Sequence, residues 1–355
     1  MRSYPEGASA VSDVLAVVLG IALILTVWSS VLRTVMTPQT RSSRVALWTL
    51  RAVTTAGHLL ARRLPRTGRQ RVLELCAPAA VFSMAAAWLA ASFAGFGLVA
   101  AGLYGVRPHP DDLAEVFLMR SPGAALAAAA WLSSALMLAA FTAHLLRIID
   151  AFGRRERFVA RLAGQAIRPP DAEAVLAGYV RSGSRDHLDD LFAEWAGWLA
   201  DVGSSHVAYP VLTFQRPAGR LCWLKAAVIV MDAAALTEAV APDWAPPHAR
   251  TVLDTGTHCL QRVAAQLGVV VHPAVVSLQG REERAFADTM RLAVGAGLPR
   301  ERDERTAEIV FQDLRRRYAP YSTGIAARIF YESDTYESPP DDGVGAAESD
   351  TPLAC

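Results

Sequence analysis

The sequence predicts an all-α, multi-pass membrane protein with three transmembrane helices, an amphipathic interfacial helix and a helical cytosolic C-terminal domain. Three observations predict this fold class. Residues 14–32, 75–106 and 121–143 contain no Asp, Glu, Lys, Arg or His. Residues 37–71 contain eight arginines and no acidic residue. Beyond residue 150, apolar residues recur at the three- and four-residue spacing of helices, and strand patterns are nearly absent.

Each uncharged stretch approaches or exceeds the roughly 20 apolar residues that a helix needs to cross a hydrocarbon core of about 30 Å. We place the transmembrane helices at residues 14–36, 72–105 and 121–149. A secretory signal peptide is the alternative interpretation of the first stretch. Residues 1–13 carry one arginine against two acidic residues, and the apolar run exceeds the roughly 7 to 15 residues of such peptides.

The distribution of arginine predicts the orientation in the cell membrane, because basic residues near a span are retained on the cytoplasmic side. The arginine-rich segment, residues 37–71, is therefore cytoplasmic. Residues 1–13 and the loop 106–120 are then external, and everything after residue 150 lies in the cytosol. Five further arginines follow the third uncharged stretch on the cytoplasmic side: Arg147, Arg154, Arg155, Arg157 and Arg161.

Apolar and basic side chains alternate over residues 45–64. This pattern predicts an amphipathic helix at the inner leaflet, with Trp48 at headgroup depth and the arginines toward anionic lipid headgroups. A fourth span is the alternative, but Arg51 and His58 would cost several kcal/mol in hydrocarbon unless they faced a partner or water. The predicted membrane-interface residues are Arg41, Arg44, Trp48, Arg51, Arg62 and Arg63.

Small residues recur every four positions on the second and third spans, a spacing that lets transmembrane helices approach closely. We expect these residues to pack helices together and to support a homo-oligomer. They are Gly97, Ala101 and Gly105 on the second span, and Ala125, Ala129 and Ser133 on the third.

The composition limits the partners and cofactors. A net charge of +1 over 355 residues argues against nucleic acid, which leaves the lipid bilayer and further copies of the chain as expected partners. The four cysteines, Cys76, Cys222, Cys259 and Cys355, form no CxxC or Cys/His ligand pattern. We therefore expect neither a disulfide nor a zinc site, and no cofactor.

Residues 150–331 have the pattern of a helical cytosolic domain. Helices are predicted at residues 172–181, 188–202, 221–241, 247–267, 282–295 and 303–317. The third of these is a buried core helix rather than a span, because Lys225, Asp232 and Glu238 interrupt it. Residues 207–214 and 269–276 contain prolines and are predicted connections. Residues 332–355, with seven acidic and no basic residues, have the composition of a disordered tail.

No catalytic pattern stands out, and we expect no enzyme activity. Asp254 and His258 have i, i+4 spacing on a predicted helix, but one such pair is expected by chance in a chain with eight histidines. His206 is expected in a turn that Pro210 fixes. Asp189, Asp190 and Glu194 fall on the solvated face of an amphipathic helix. The GxxxxGK[ST], GxSxG and HExxH motifs are absent from the sequence.

Residues 144–156 (HLLRIIDAFGRRE) and 162–170 (LAGQAIRPP) resemble the junction between pore-lining helix and cytosolic domain in bacterial two-transmembrane-type potassium channel family proteins. Residues 194–198 (EWAGW), 205–212 (SHVAYPVL) and 222–232 (CWLKAAVIVMD) fit the same pattern. The order of the elements also agrees. The resemblance covers most of the chain and implies an ion channel-like membrane protein.

The chain departs from that family at the selectivity filter. A potassium filter is a T-x-G-[YF]-G run after a short pore helix. Residues 106–120 lack this run, and a pore helix of about 11 residues with its filter and return needs about 30 residues. The resemblance therefore implies a filter-less or degenerate family member. The alternative is a membrane-anchored regulatory or interaction module whose cytosolic domain binds a partner or ligand, without ion conduction.

The predicted orientation is tested by cysteine accessibility in a Cys355→Ser parent. We expect a membrane-impermeant maleimide to label Ser3→Cys in intact cells, because residues 1–13 are external. Ser184→Cys should be labelled only after permeabilisation, and the parent measures background labelling. The opposite pattern for the two cysteines would reverse the topology.

Overall fold

The computed structural model describes residues 6–36, 44–61, 63–105, 123–164, 171–181, 185–217, 221–270 and 281–329, which form helices joined by turns, with no strand among them. Two compact units divide the chain, Met1–Asp150 and Ala151–Cys355. The helices are α1 (Glu6–Met36), α2 (Arg44–Ala61), α3 (Arg66–Tyr104), α4 (Ala124–Gly164), α5 (Ala172–Arg181), α6 (Arg185–Ala208), α7 (Val211–Phe214), α8 (Trp223–Val240), α9 (His248–Leu267), α10 (Arg281–Gly295), α11 (Glu304–Arg316) and α12 (Ala319–Ile329).

Three helices are long and apolar enough to cross a membrane. The candidate spans are Val11–Met36, Arg71–Tyr104 and Ala124–Gly164. They coincide with the three spans predicted from the uncharged stretches, which supports a multi-pass membrane protein. α2 is not among these helices, so length and composition do not support the fourth-span alternative.

Glycines bring α1 and α3 into close contact. A Cβ atom built on Gly95 would lie 2.7 Å from Ile24 Cγ1 and 3.0 Å from the carbonyl oxygen of Gly20. One built on Gly102 would lie 2.3 Å from the carbonyl oxygen of Asp13. Close packing of this kind replaces the hydrophobic effect as the force between helices in a bilayer. The backbones of the two helices therefore come this close only where a side chain is missing.

α4 packs against α1 and α3 through larger side chains. The ring of Phe141 lies 5.9 Å from that of Phe82, and the rings of Trp131 and Phe93 are 6.1 Å apart. Trp28 Nε1 donates a hydrogen bond of 2.9 Å to Ser133 Oγ. Helices α1, α3 and α4 also share a buried cluster, made of Val27, Val31, Val35, Met84, Trp88 and Met137.

The predicted interfacial helix exists as α2 and forms a helical hairpin with α3. The side chain of Cys76 lies directly against Gly57, in the space that a Cβ atom would occupy. Trp48 is 74% exposed, and Arg51 and Arg63 are also exposed. Arg44 is the first residue of α2, whereas Arg41 and Arg62 lie outside the described residues. The interfacial position of α2 stays a prediction.

The predicted packing residues fall on different surfaces. Gly97 and Ala101 are half-buried, and the close contacts of α3 with α1 lie instead at Gly95 and Gly102. Gly105 is exposed and ends α3 with a φ of 64°, a left-handed conformation that favours glycine. Ser133 is buried and accepts the hydrogen bond from Trp28, whereas Ala125 and Ala129 are exposed on α4. Their use between copies of the chain stays a prediction.

The second unit is built around α8. Fifteen of its 18 residues are buried, which confirms the prediction of a core helix over residues 221–241. α9 packs along α6, where Gly203 lies against Cys259, and a Cβ atom on Gly256 would lie 2.4 Å from Met231 Sδ of α8. These two glycines let α9 lie close to both of its neighbours.

Five other helices of this unit also match their predicted positions, whereas α12 was not predicted. α5, α6 and α9 to α11 begin within three residues of the predicted starts. In the predicted connection over residues 207–214, the last four residues form the short helix α7. Of residues 269–276, only 269 and 270 are described, and they lie outside helices. The external loop 106–120 and the acidic tail 332–355 lie outside the described residues.

The glycine contact between α1 and α3 predicts the effect of a matched pair of substitutions. Gly95→Leu should destabilise the protein by about 1–3 kcal/mol or more, because the new side chain overlaps Ile24 and the backbone of Gly20. Ala94→Leu adds a leucine at the neighbouring, exposed position and should have little effect. Thermal unfolding in detergent measures both variants. Equal unfolding temperatures would contradict the contact.

Candidate functional site

A pocket of about 290 Å³ opens on the second unit between the end of α8, the first half of α9 and α11. Three arginines, two carboxylates and three aliphatic side chains line it: Arg250, Arg302, Arg317, Glu238, Asp254, Leu253, Val310 and Leu314. The lining therefore carries one more positive than negative charge. Aliphatic and charged groups face the same space, as in sites that bind small polar molecules.

Arg302 is positioned by the C-terminal end of α8. The last carbonyls of a helix have no intrahelical donor. Arg302 Nη1 donates to the carbonyl oxygens of Glu238 and Ala239, at 2.8 and 3.1 Å. The backbone N–H groups of Glu301 and Arg302 donate to that of Val240. The guanidinium is thus fixed, and its charge also complements the negative end of the helix dipole.

The other two arginines form ion pairs at the rim of the pocket. Arg250 Nε lies 3.0 Å from Glu238 Oε2, and Arg317 Nη2 lies 2.5 Å from Asp254 Oδ1. The arginine side chains are 73% and 47% exposed, respectively. Both side chains of the Arg317–Asp254 pair are exposed, and such pairs contribute little stability, typically about 0–1 kcal/mol, so Arg317 can exchange partners at small cost. The Glu238 side chain is only 11% exposed, so it holds Arg250 in place.

Three consecutive arginines at the end of α11 have three different surroundings. Successive residues of a helix point about 100° apart, so neighbours in sequence face different surfaces. Arg315 pairs with Asp232 of α8, Arg316 pairs with Asp313 on its own helix, and Arg317 lines the pocket. These positions offer matched variants, because the same substitution can be made inside and outside the pocket.

A largely buried carboxylate of α8, Asp232, holds α11 and the turn before α12 onto that helix. Asp232 Oδ1 accepts hydrogen bonds from Arg315 Nε at 3.1 Å and from the hydroxyl of Tyr318 at 2.5 Å. Burial raises the pKa of Asp232, and Arg315 and Tyr318 only partly offset this effect. Burial, followed by the charge of Asp232, raises the pKa of Tyr318 well above its ordinary value. The ionised form of Asp232 therefore depends on the hydrogen bonds that Arg315 and Tyr318 donate.

Glu173 on α5 belongs to the same electrostatic environment. Burial raises the pKa of Glu173, and the charges of Asp171 and Asp232 raise it further. A hydrogen bond with the Thr289 side chain of α10 opposes this shift. Carboxyl groups of α5 and α8 thus share a region in which their ionised forms are disfavoured.

A second buried charge lies at the start of this unit. The side chain of Arg155 is 1% exposed, and its guanidinium donates to the carbonyl oxygens of Leu212 and Gln215 at 2.8 and 3.2 Å. It also pairs with Glu156 at 2.9 Å. Arg155 Nη1 lies 3.4 Å from His206 Nε2. The arginine therefore fixes the backbone around α7 to the C-terminal end of α4.

His206 contacts this arginine as a neutral imidazole. Burial, and then the charge of Arg155, lowers the pKa of His206 well below its ordinary value. Its Nδ1 lies 2.9 Å from the carbonyl oxygen of Val202, so we assign the proton to Nδ1, which leaves Nε2 to accept from Arg155. The prediction that His206 lies in a turn is wrong, because the residue belongs to the last turn of α6.

The remaining candidates from the sequence have structural contacts. Asp254 pairs with Arg317, and His258 is exposed. Asp190 and Glu194 are exposed as predicted. Asp189 is half-buried and accepts hydrogen bonds from the backbone N–H and ring of His248, so its assignment to a solvated face is wrong. Within the described parts of the chain, no three His, Cys, Asp or Glu side chains are grouped so as to hold a metal ion.

Sequence reasoning missed the pocket arginines. Arg250, Arg302 and Arg317 come from α9, the segment before α11 and the end of α11, and no spacing connects the first to the others. The arginine-rich composition of residues 300–317 was the one signal available. It marks this segment as basic without indicating which arginines face a common space.

Comparison with known proteins adds no assignment. No family model, no curated protein and no solved structure matches the chain. The resemblance to bacterial two-transmembrane-type potassium channels therefore rests on the sequence segments alone and stays a prediction.

The buried pair of Asp232 and Arg315 predicts a pH-dependent effect on stability. Arg315→Gln should destabilise the second unit by about 3 kcal/mol near neutral pH, because it leaves a largely buried carboxylate without its cation. The variant further raises the pKa of Asp232 in the folded state, above the roughly 3.9 of an unfolded chain. Protonation then favours folding, so the loss of stability should be smaller at pH 5 than at pH 8.

Chemical denaturation at the two pH values measures this difference. Arg316→Gln is the control, since its side chain is 65% exposed and pairs only within α11. A stability loss for Arg315→Gln that is the same at pH 5 and pH 8 would contradict the role assigned to Asp232.

Proposed function

We propose that the chain is a membrane-anchored module whose cytosolic helical domain binds a small-molecule ligand, and that it does not conduct ions. The observation that carries this proposal is the pocket between α8, α9 and α11, with Arg302 fixed in its wall. A binding site benefits from groups that are held in place before the ligand arrives. The lining of the pocket supports the same proposal, because all its residues belong to the second unit and none to the candidate spans.

The chemistry of the pocket favours binding over catalysis. Its lining residues are Arg, Glu, Asp, Leu and Val, with no Ser, Cys, His or Lys among them. Both carboxylates are held in ion pairs with arginines. Neither a nucleophile nor an unpaired general base is therefore supplied by these side chains.

The membrane part of this proposal follows from the arginine distribution. The chain lies in the cell membrane with its N-terminus outside and the helical domain in the cytosol. α2 lies at the inner leaflet, where Trp48, Arg51 and Arg63 contact anionic lipid headgroups. Their exposure on the surface of the hairpin supports this placement.

A filter-less or degenerate channel-like protein is the second candidate function. One observation favours it: Ala125 and Ala129 are exposed on α4, where small residues suit close packing against a second copy. This candidate requires a symmetric tetramer, whereas an anchored binding module requires none.

The two functions differ in oligomeric state and in conduction. We expect native mass spectrometry of the full chain in lipid nanodiscs to give a monomer or dimer. Liposomes containing the protein should show the potassium flux of empty liposomes. A tetramer that carries potassium-selective flux would overturn the anchored-module proposal and support the channel-like one.

A further inference from the structure

We propose that the pocket between α8, α9 and α11 binds a small phosphate monoester, a phosphate group attached to a compact apolar body. This inference rests on the proposed function and specifies the ligand of that site. Four features carry it: an uncompensated arginine, the edge of its guanidinium that faces no helix carbonyl, a rim arginine that can change partners, and an aliphatic wall beside them.

The first feature is the charge of Arg302. Among the described residues, its guanidinium bonds to the carbonyl oxygens of Glu238 and Ala239 and to no carboxylate. The two negative charges of the pocket are paired with Arg250 and Arg317. Arg302 is therefore the surplus cation of a partly enclosed space, and an anion is the ligand that compensates it.

The second feature is the geometry available to that anion. The contacts of Arg302 to the end of α8 both use Nη1, which leaves the edge formed by Nε and Nη2. This edge of a guanidinium donates two parallel hydrogen bonds, and it matches carboxylate and phosphate oxygens. Because Nη1 is already fixed, little conformational freedom is lost when an anion binds there.

The third feature distinguishes phosphate from a single negative charge. A phosphate monoester carries about −1.5 to −2 charges near pH 7 and offers three acceptor oxygens. Arg317 and its partner Asp254 are both exposed, so the end of Arg317 can turn from Asp254 toward the ligand. One dianionic group can thus engage Arg302 and Arg317.

The aliphatic wall indicates that the phosphate carries an organic group. Leu253, Val310 and Leu314 line the same space, and inorganic phosphate would leave them uncovered. Burial of apolar surface contributes roughly 25 cal/mol per Å², so an apolar body strengthens binding. A volume of about 290 Å³ limits that body to a compact group, because it lies at the low end for small-molecule pockets.

Isothermal titration calorimetry with the full chain in nanodiscs of zwitterionic lipid tests the proposal. Phenyl phosphate is the probe. Inorganic phosphate is the control that has the anion without the apolar body, and phenol is the control that has the apolar body without the anion. We expect phenyl phosphate to bind at least about tenfold more tightly than either, because both parts of the site must be filled. Equal affinity for phenyl phosphate and phenol, or no binding of phenyl phosphate at millimolar concentration, would overturn it.

Matched variants locate the binding. Arg317→Gln should weaken phenyl phosphate binding about tenfold, the effect of losing one charge-assisted hydrogen bond. Arg316→Gln removes the neighbouring arginine, which faces away from the pocket, and should leave the affinity unchanged. Arg302→Gln should weaken binding most. If that variant fails to fold, the comparison of Arg317→Gln with Arg316→Gln tests the proposal. Equal affinity of these two variants for phenyl phosphate would place the site elsewhere.

The phosphate monoester could be soluble or the headgroup of phosphatidic acid. Adding phosphatidic acid to the nanodiscs distinguishes these sources. If the ligand is the lipid headgroup, phosphatidic acid should weaken the binding of phenyl phosphate by competition. If the ligand is soluble, phosphatidic acid should leave that binding unchanged. Either result supports the site. A monomer or dimer that binds no phenyl phosphate would contradict this inference alone. A tetramer that conducts potassium would contradict the proposed function.

Discussion

The C-terminal helical unit depends on one constraint, the burial of polar groups that α8 brings into the core. α8 is almost completely buried, yet it carries three charged residues and ends in carbonyl groups without helical donors. Lys225 escapes to the surface. Asp232 bonds Arg315 and Tyr318, and Glu238 bonds Arg250. The end of the helix takes its donors from Arg302 and the backbone beside it.

The same constraint explains why the pocket exists where it does. Arginines that satisfy a helix end or a half-buried carboxylate must be brought close to α8 by later segments of the chain. α9 supplies Arg250, and the segment before α11 supplies Arg302. A structural need for hydrogen-bond donors thereby leaves a space lined with guanidinium groups. Binding of an anion then uses groups whose positions folding has already fixed.

The membrane unit follows a different rule. Backbone groups in a bilayer are satisfied mainly within each helix, so association depends on how closely helices fit. α1 and α3 meet at Gly20, Gly95 and Gly102, where backbone contacts backbone. α4 instead contributes the aromatic side chains Trp131 and Phe141 and the hydroxyl of Ser133. Arg147 adds a hydrogen bond to the carbonyl oxygen of Val35, in the last turn of α1.

The sequence determined where the helices lie and which of them are apolar enough to cross a membrane, because both depend on local periodicity and composition. It identified the small residues of α3 without locating its close contacts, since the four-residue spacing of Gly97, Ala101 and Gly105 does not reveal which face meets α1. That face was decided by Gly20 on another helix. The sequence likewise did not predict the contact between Arg155 and His206, because these residues are 51 positions apart. Only the tertiary structure brought Arg250, Arg302 and Arg317 into one pocket, because the faces of α9 and α11 that turn toward α8 depend on how all three helices pack.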